Sequence, residues 1–275
     1  MTKPLLLAVD VGNTNTVFAV YRDRNPLGQW RISTVRERTG DEYAAALTQL
    51  MMLDGIDHRD VGNVVISSVV PQALPALKAM CAQVFDCVPK IVRENLGVTI
   101  DIAIDNPREV GADRLVNAVA AHGRYGGPLI IVDFGTATTF DVVDGDGRYC
   151  GGVIATGLNL SLEALHRAAA KLPRVAVERP SRVIGGSTVT AMQSGVYWGY
   201  VSMVEGMVTR IKAEFGAEMT VVATGGLSSL FADATDLIEH VDRDLTMAGL
   251  VELYYADRPL QSPNLAVGQT LQSHD

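Results

Sequence analysis

Apolar residues first gather in two short, uninterrupted runs, at 5–9 and at 129–132. Runs of this length are typical of a strand that is buried on both faces. A second, largely apolar run follows each of them, at 17–20 and at 140–143, and a turn-rich stretch then leads to a further strand. The pattern therefore predicts a meander of strands at the start of each half of the chain.

Helical spacing follows each meander. In the first half, Thr39 and Glu42 form a predicted capping box for a helix, and the chain continues with a strand at 64–70, a helix from 71 to about 85 and a short strand at 90–92. In the second half we predict helices at 158–170 and 188–211, a strand at 220–223 and a closing helix at 247–255. Because strands alternate with helices, the predicted fold class is α/β.

The loops of the two meanders repeat one another. Val9-Asp10-Val11-Gly12-Asn13-Thr14-Asn15-Thr16 recurs 123 residues later as Val132-Asp133-Phe134-Gly135-Thr136-Ala137-Thr138-Thr139, with the Asp, the Gly and the second Thr in register. We interpret the repeat as two similar domains whose Asp-x-Gly loops face a shared cleft. The predicted boundaries are 1–126 and 127–258, with a polar tail at 259–275.

Charge and composition narrow the class of function. The net charge is -8, the pI is near 5.1, and the 23 Lys and Arg residues are scattered, which speaks against a nucleic-acid partner. The apolar run at 4–9 is too short for a signal segment, and no other run approaches the roughly 18 residues of a membrane span. The three cysteines fit neither a zinc knuckle nor a CxxC motif. We therefore expect a cytoplasmic protein with no membrane partner.

Each Asp-x-Gly loop has the residues of a phosphate site. A carboxylate ends the strand, a glycine lets the backbone turn, and short polar residues can bond phosphate oxygens. There is neither a GxxxxGK[ST] nor a GxGxxG motif, so a P-loop or Rossmann site is not supported. One copy alone also fits a tight hairpin. Two copies on opposite walls of a cleft fit a clamp for the β- and γ-phosphates of ATP, with carboxylates holding cations.

A third segment offers chemistry for an alcohol substrate. Asp113 and Arg114 come immediately before an apolar helical run that starts at Leu115, so both lie near a helix N-terminus. In phosphoryl transfer to an alcohol, an aspartate can accept the hydroxyl proton while an arginine neutralises charge on the transferred group. The alternative is an ordinary carboxylate at a helix start beside a surface arginine.

Two glycine-containing segments allow two interpretations each. Thr224-Gly225-Gly226 follows a predicted strand and fits either close approach to a flat ligand such as adenine or a strand-to-helix turn. Gly151, Gly152 and Gly157 flank a short strand and fit either packing against a nucleotide or turn geometry. The histidines His58, His122 and His166 have no metal-binding spacing.

Five segments in order resemble the motif set of the type III pantothenate kinases, namely 10–14, 111–114, 133–138, 151–154 and 224–226. The resemblance implies the fold of the acetate and sugar kinase, Hsp70 and actin superfamily, in which two duplicated ribonuclease-H-like domains of mixed sheet plus helices enclose an ATP cleft. It also implies ATP-dependent phosphorylation of the pantothenate 4'-hydroxyl, the first step towards coenzyme A. Proteins of this family are typically homodimers that need Mg²⁺ and K⁺ or NH₄⁺.

By position, the resemblance implies an ATP site that contains Asp10, Val11, Gly12, Asn13, Thr14, Asn15, Thr16, Val17, Thr136, Gly225 and Gly226. Asp10 would also hold Mg²⁺ through water, and Asp133 would hold the monovalent cation. Asp113 would be the general base. The implied pantothenate site contains Ile104, Gly111, Ala112, Asp113, Arg114 and Thr188, with Thr188 contributed by the partner subunit.

One residue of this set departs from the family pattern. Ile104 stands two positions before the Asn-Pro pair, where many relatives carry an aromatic residue. A branched aliphatic side chain can line the same wall with less area. We therefore expect a changed affinity for pantothenate and not a lost activity.

Two other functions fit parts of the same pattern. The chain could be a nucleotide-binding regulatory protein, since some relatives are accessory factors to transcription, but all catalytic positions are filled and there is no basic groove. It could also be a phosphatase of the same superfamily, which would need a water-positioning carboxylate in place of a substrate pocket.

Overall fold

A computed structural model describes residues 4–168 and 173–257, so the predicted tail at 259–275 and positions 169–170 of a predicted helix lie outside the described residues. The strands are β1 (Leu5–Val11), β2 (Asn15–Arg22), β3 (Asn25–Ser33), β4 (Val61–Ser68), β5 (Lys90–Ile91), β6 (Leu129–Phe134), β7 (Ala137–Val143), β8 (Tyr149–Thr156), β9 (Thr220–Gly225) and β10 (His240–Val241). The helices are α1 (Gly40–Leu53), α2 (Leu74–Phe85), α3 (Ala112–Tyr125), α4 (Leu158–Ala168), α5 (Thr188–Phe215), α6 (Ser228–Ala232) and α7 (Leu245–Ala256).

The strands form two five-stranded sheets with the same topology. The first has the order β3-β2-β1-β4-β5 and the second has the order β8-β7-β6-β9-β10. In each sheet the first three strands form an antiparallel meander, and the last two pair in parallel, β4 with β1 and β9 with β6. The mixed α/β class and the duplication expected from the repeat are therefore confirmed.

Helices cover both sheets in the way the apolar pattern predicts. In the first half, α1 and α2 pack on the sheet, and Tyr43 and Leu77 are fully buried against it. The predicted capping box of α1 is present: the Thr39 N–H donates to Glu42 at 2.8 Å, and the Glu42 N–H donates to the Thr39 hydroxyl at 3.2 Å. In the second half, the long helix α5 and the short helix α6 supply the core, and Phe231 lies at its centre.

Helices α3 and α7 lie between the two sheets and join them. Residues of α7, among them Leu250 and Tyr254, pack on the first sheet, although α7 is the last helix of the described residues. Leu115 of α3 packs on the second sheet. The two helices approach closely, since a Cβ atom at Gly249 would lie 2.3 Å from the Val116 carbonyl oxygen. The predicted boundary at 126 and 127 stays a prediction, and α7 ties the two halves together across it.

The two loops that repeat in sequence differ in length. In the first sheet, Val11 pairs with Thr16, and in the second, Phe134 pairs with Thr138. The loop between β1 and β2 is therefore one residue longer than the loop between β6 and β7. A sequence alignment of the repeat does not reveal this difference, because it keeps the Asp, the Gly and the second Thr in register.

Helix ends account for most other differences from prediction. The helix predicted at 188–211 continues to Phe215, and it ends where Gly216 takes a left-handed conformation with φ of 77°. The helix predicted from Pro71 begins as a single 3-10 turn, and α2 proper starts at Leu74. Within residues 4–168 and 173–257, no helix has both the length and the apolar character needed to cross a membrane.

Candidate active site

Three aspartates meet where the two sheets and α3 come together. Asp10 lies near the end of β1, Asp133 lies near the end of the equivalent strand β6, and Asp113 lies in the first turn of α3. Their charges affect one another, because Asp113 raises the pKa of both Asp10 and Asp133. The structure therefore brings together three carboxylates that lie far apart in the sequence.

The pKa values of Asp10 and Asp133 reflect an uncompensated negative charge. Burial, followed by the charges of Asp113 and Asp133, raises the pKa of Asp10 to about 7, while the Ser67 hydroxyl opposes the rise. Burial, followed by Asp113 and Asp141, raises the pKa of Asp133 to about 7, while a hydrogen bond from Asn117 opposes it. Cations or hydrogen-bond donors placed among these groups would stabilise their ionised forms.

Asp113 is held by the N-terminus of α3. Gly111 is the residue before the helix, and the Arg114 N–H donates to Asp113 Oδ1 at 2.8 Å. A Cβ atom at Gly111 would lie only 2.5 Å from the same Oδ1, so the carboxylate can fold back only because Gly111 has no side chain. Burial raises the pKa of Asp113, while its bond to the Arg114 amide and the Arg114 charge lower it. A carboxylate with a raised pKa at a helix start can accept a proton near neutral pH.

The tips of the two Asp-x-Gly loops touch each other. The Thr14 and Thr136 hydroxyl oxygens are 2.7 Å apart, within hydrogen-bond distance. In the first loop the Gly12 N–H donates to the Asn15 carbonyl oxygen at 3.0 Å, and the Gly12 carbonyl oxygen accepts from the hydroxyl of Thr34, the residue after β3, at 2.8 Å. Residues 13–15 and 135–136 are exposed, so both loop tips can contact a ligand.

Two residues of the predicted ATP set have supporting contacts of their own. Thr16 is fully buried, and its hydroxyl lies 2.9 Å from that of Thr34, which fixes β2 to β3 behind the loop. Gly225 has a φ of 87°, and a Cβ atom there would lie 2.5 Å from Asp133 Oδ1. Glycine is required at this position because the strand end presses against the carboxylate. Gly226, the next residue, has open space around its Cα atom.

Asp133 is oriented by a chain of hydrogen bonds that begins on α7. Thr246 donates to the Asn117 side-chain oxygen at 2.7 Å, and the Asn117 amide nitrogen donates to Asp133 Oδ2 at 3.1 Å. Asn117 is almost completely buried in α3. Because Thr246 satisfies the amide oxygen, Asn117 presents its N–H group and not its oxygen to Asp133.

Arg114 pairs with an aspartate that is buried in β7. Its Nε donates to Asp141 Oδ1 at 2.7 Å, and Tyr149 donates to the same oxygen at 2.7 Å. Ile104, which comes from the loop before α3, lies nearby, since a Cβ atom at Gly151 would be 3.6 Å from Ile104 Cγ2. The glycines of β8 therefore face the predicted substrate wall, which favours neither of the two earlier interpretations of this segment.

The match to known proteins decides the family to which the chain belongs. Residues 6–210 match the family model described as type III pantothenate kinase. The chain belongs to the type III pantothenate kinase family. It is 58% identical to the type III pantothenate kinase of Paramagnetospirillum magneticum, over 91% of this chain and 96% of that protein. It is 55% identical to the type III pantothenate kinase of Rhodospirillum rubrum, over 93% of this chain and 100% of that protein.

Solved structures that resemble the kinase fold agree with its topology. A protein described as a Baf family transcriptional activator from Campylobacter jejuni matches with a TM-score of 0.60 and 17% identity, over 91% of this chain and 98% of that one. A protein described as a 2-dehydro-3-deoxygalactonokinase from Sinorhizobium meliloti matches with a TM-score of 0.58 and 15% identity, over 96% of this chain and 100% of that one. At such identities the likeness concerns the fold alone.

Thr188 is the residue of the predicted pantothenate site that lies apart from the carboxylates. It begins α5 and lines an apolar pocket of about 750 Å³ between α4 and α5. The residues that line this pocket include none of Asp10, Asp113 and Asp133. Within the chain the structure thus brings together the loops, Asp113, Arg114 and Ile104, but not Thr188.

The residues of the site can hold metal ions only with help from other ligands. Among the described residues, no group of three or more His, Cys, Asp or Glu side chains is close enough to hold a metal ion. Mg²⁺ in phosphate-transfer sites uses one or two carboxylates, with waters and phosphate oxygens completing the shell. Asp10 and Asp133, with their raised pKa values, fit this pattern.

Sequence reasoning missed the polar residues behind the candidate site. Asp141 interrupts an apolar strand, and Asn117 interrupts an apolar helix. A polar residue at a position where the period demands an apolar one has to find a buried partner. That signal is visible in the sequence, although it does not name the partner.

Proposed function

We propose that this protein transfers the γ-phosphoryl group of ATP to the 4'-hydroxyl of pantothenate, which is the first step of coenzyme A biosynthesis. The observation that carries the proposal is the position of Asp113, whose carboxylate is coupled electrostatically to both Asp-x-Gly strands. The family match supports the substrate, because the most similar relatives described above are named for pantothenate. The regulatory alternative is not favoured, since those relatives are named as kinases.

In the proposed reaction Asp113 accepts the proton of the pantothenate hydroxyl. Burial raises its pKa, as suits a general base, while the Arg114 amide and the Arg114 charge favour the ionised form that accepts the proton. Arg114 contacts pantothenate, and Gly111, Ala112 and Ile104 shape the pocket around it. The exposed tips of the two loops bind the phosphates of ATP through Gly12, Asn13, Thr14 and Thr136.

Cations complete the proposed site. When bound, Mg²⁺ would neutralise charge on the phosphates of ATP. Asp10 would hold Mg²⁺ through water, and Asp133 would bind the monovalent cation, K⁺ or NH₄⁺. Asn117 donates to one oxygen of Asp133, and Gly225 leaves the other uncrowded, so the carboxylate is oriented before any ion arrives.

We propose further that the protein is a homodimer in which Thr188 reaches the partner's pantothenate site. The described residues support this assembly because large apolar side chains are exposed on β8, on α4 and near the start of α5, namely Ile154, Leu160, Leu165, Val183, Ile184 and Val189. An exposed apolar patch typically marks an interface. Sedimentation as a monomer at micromolar concentration would contradict the proposed homodimer. The expected cytoplasmic location of the protein stays a prediction.

One assay tests the proposed reaction. ADP release is coupled to a spectroscopic readout and measured with and without pantothenate, first in potassium and then in sodium. We expect release that depends on pantothenate and on potassium. An Asp113→Asn variant should bind ATP like the wild type and release ADP at least about a hundredfold more slowly. Wild-type turnover in that variant would rule out Asp113 as the base, and inorganic phosphate without phosphopantothenate would indicate a phosphatase.

A further inference from the structure

Asp141 is a buried carboxylate with a complete set of partners. Its side chain in the middle of β7 has no exposure to solvent. Oδ1 accepts hydrogen bonds from Arg114 Nε and from the Tyr149 hydroxyl, each at 2.7 Å, and Oδ2 accepts one from Thr139 at 3.1 Å. Arg114 Nη2 also lies 2.7 Å from Oδ1. A charged residue inside an apolar strand is therefore matched by three donor side chains.

Stability alone does not account for this arrangement. A buried ion pair seldom stabilises a fold more than apolar residues of the same volume would, because both charges lose their hydration. Burial raises the pKa of Asp141 to about 6, although Arg114, Tyr149 and Thr139 all oppose the rise. What the ion pair does provide is a fixed geometry for the Arg114 side chain.

The neighbouring strand β8 is shaped around the Arg114 guanidinium. A Cβ atom at Gly152 would lie 2.8 Å from Arg114 Nη2 and 2.1 Å from the Phe140 carbonyl oxygen, so no other residue leaves room for it. The Tyr149 ring lies 5.8 Å from the guanidinium carbon. Asp141, Tyr149 and Gly152 thus surround the guanidinium on the side of the second sheet.

The opposite side of Arg114 remains available. Its side chain is 16% exposed. No acceptor for its Nη1 atom is found in residues 4–168 and 173–257. Arg114 also follows Asp113 directly at the start of α3, so a guanidinium that is fixed in place fixes the end of the helix that carries the proposed base.

We propose that Asp141 is a positioning residue for pantothenate: it holds Arg114 against β7 and leaves Nη1 free for the substrate, while Tyr149 in turn holds Asp141. The inference rests on the proposed function, in which Arg114 contacts pantothenate. Asp141 itself does not touch the substrate and acts through Arg114 alone.

The first test is the variant Asp141→Asn, which keeps the shape of the side chain and removes its charge. The KM for pantothenate should rise about ten- to a hundredfold, as expected when a hydrogen bond to a charged group is lost, while the KM for ATP should not change. Tyr149→Phe should raise the KM for pantothenate by a smaller factor. Direct binding of pantothenate, followed by calorimetry, should weaken by the same factors.

A matched control separates positioning from folding. Asp144, three residues further along the same hairpin, also pairs with an arginine, since Arg148 donates to it at 2.7 Å. Asp144→Asn should lower the melting temperature without changing the KM for pantothenate. If Asp141→Asn behaves like this control, or raises both KM values together, Asp141 has only a structural role and the inference is wrong.

A double-mutant cycle shows whether Asp141 acts through Arg114. Arg114→Ala should raise the KM for pantothenate, and adding Asp141→Asn to it should raise the KM no further. The double variant should also melt at a higher temperature than Arg114→Ala, because an unpaired buried carboxylate has been removed. Additive effects on KM would overturn the inference. A wild-type enzyme without pantothenate-dependent ADP release would instead refute the proposed function.

Discussion

The two Asp-x-Gly hairpins are similar in sequence but have different surroundings. The first has the longer loop, with residues 13–15 exposed, and Asp10 faces the buried Ser67 hydroxyl, which has no hydrogen-bond partner within normal geometry among the described residues. The second has the shorter loop, and Asp133 receives a hydrogen bond from Asn117 and lies against Gly225. The distinguishing feature of the first hairpin is therefore its exposed loop tip, and that of the second is a carboxylate held in place by its neighbours.

This difference suggests a division of labour. A long, exposed loop offers several N–H groups and hydroxyls to phosphate oxygens. A carboxylate whose orientation is fixed by a neighbouring amide is the arrangement found behind many metal ligands. We therefore expect the first hairpin to bind mainly phosphate and the second mainly a cation.

The largest expected effect comes from removing either carboxylate charge. Asp10→Asn and Asp133→Asn should each lower kcat/KM about a hundredfold or more, since both charges act on the transferred phosphoryl group or its cations. The two variants should differ in their cation dependence. Asp10→Asn should change the dependence of activity on the Mg²⁺ concentration, and Asp133→Asn should lose activation by potassium. Titrations of activity with each cation distinguish them. Identical cation profiles would contradict the division of labour.

A smaller effect should follow from changing the residue behind each carboxylate. Asn117→Leu removes the donor to Asp133 and should raise the potassium concentration for half-activation about tenfold, as changes behind a metal ligand commonly do. Ser67→Ala is the matched variant on the first hairpin and should leave potassium activation unchanged. Thermal stabilisation by potassium, measured without substrates, checks binding separately from activity. Equal responses of the two variants would remove the distinction between the hairpins.

The stability of the metal-free protein should depend on pH in the opposite way from an ordinary salt bridge. The folded-state pKa values of Asp10 and Asp133 are near 7, above the ordinary value of 3.8, so the folded state binds protons more tightly than the unfolded state. The stabilisation that this tighter proton binding gives the folded state is complete at pH values below the ordinary pKa of an aspartate, and it is lost as the pH rises towards 7. At pH 8 and in chelator, Asp10→Asn or Asp133→Asn should therefore be more stable than the wild type by about 1–3 kcal/mol.

Chemical denaturation at pH 5 and at pH 8 measures this effect. The gain in the variants should shrink at pH 5, because the wild-type carboxylates are then largely protonated. Asp60→Asn, on the exposed turn before β4, is a control that should show no comparable gain. A wild type that is more stable than both variants at pH 8 would mean that the carboxylates are compensated without cations.

The smallest expected effect concerns the contact between the loops. Thr14→Val and Thr136→Val each remove the hydrogen bond that joins the hydroxyls across the cleft. The bond is exposed, so its loss should raise the KM for ATP only about two- to fivefold. Thr136→Val should affect ATP less than Thr14→Val if the first hairpin is the main phosphate loop. Steady-state kinetics at saturating pantothenate measures both, and the reverse order would argue against that assignment.

The sequence predicts the strands and helices of the molecule better than it predicts which of them pack together. The repeated strand pattern identifies both sheets, because a buried strand needs an apolar run and the turn after it needs glycine or polar residues. The largely apolar segment of α7 predicts a helix, but it does not say that Leu250 packs on the first sheet. Such pairing depends on which surface remains uncovered, and no local pattern carries that information.

The residues of the site also divide into those that the sequence predicts and those that only the structure reveals. Asp10, Asp113 and Asp133 stand in recognisable motifs, so the sequence identifies them, and the structure brings them together. The shorter second loop escapes prediction, because strand register depends on hydrogen bonding across the hairpin. Asn117 and Asp141 escape it as well, since each acts through a residue that is distant in the sequence.

The packing of α7 on the first sheet has a consequence for synthesis of the protein in the cell. Leu6, Ala8 and Val65 of the first sheet are covered by a helix that begins only at Leu245. A ribosome makes the sheet long before it makes α7, so the part of this apolar face that α7 covers stays open to water until that helix has been made. The first half of the nascent chain therefore needs protection against aggregation, and a transcript truncated before α7 would yield a product that cannot complete either half.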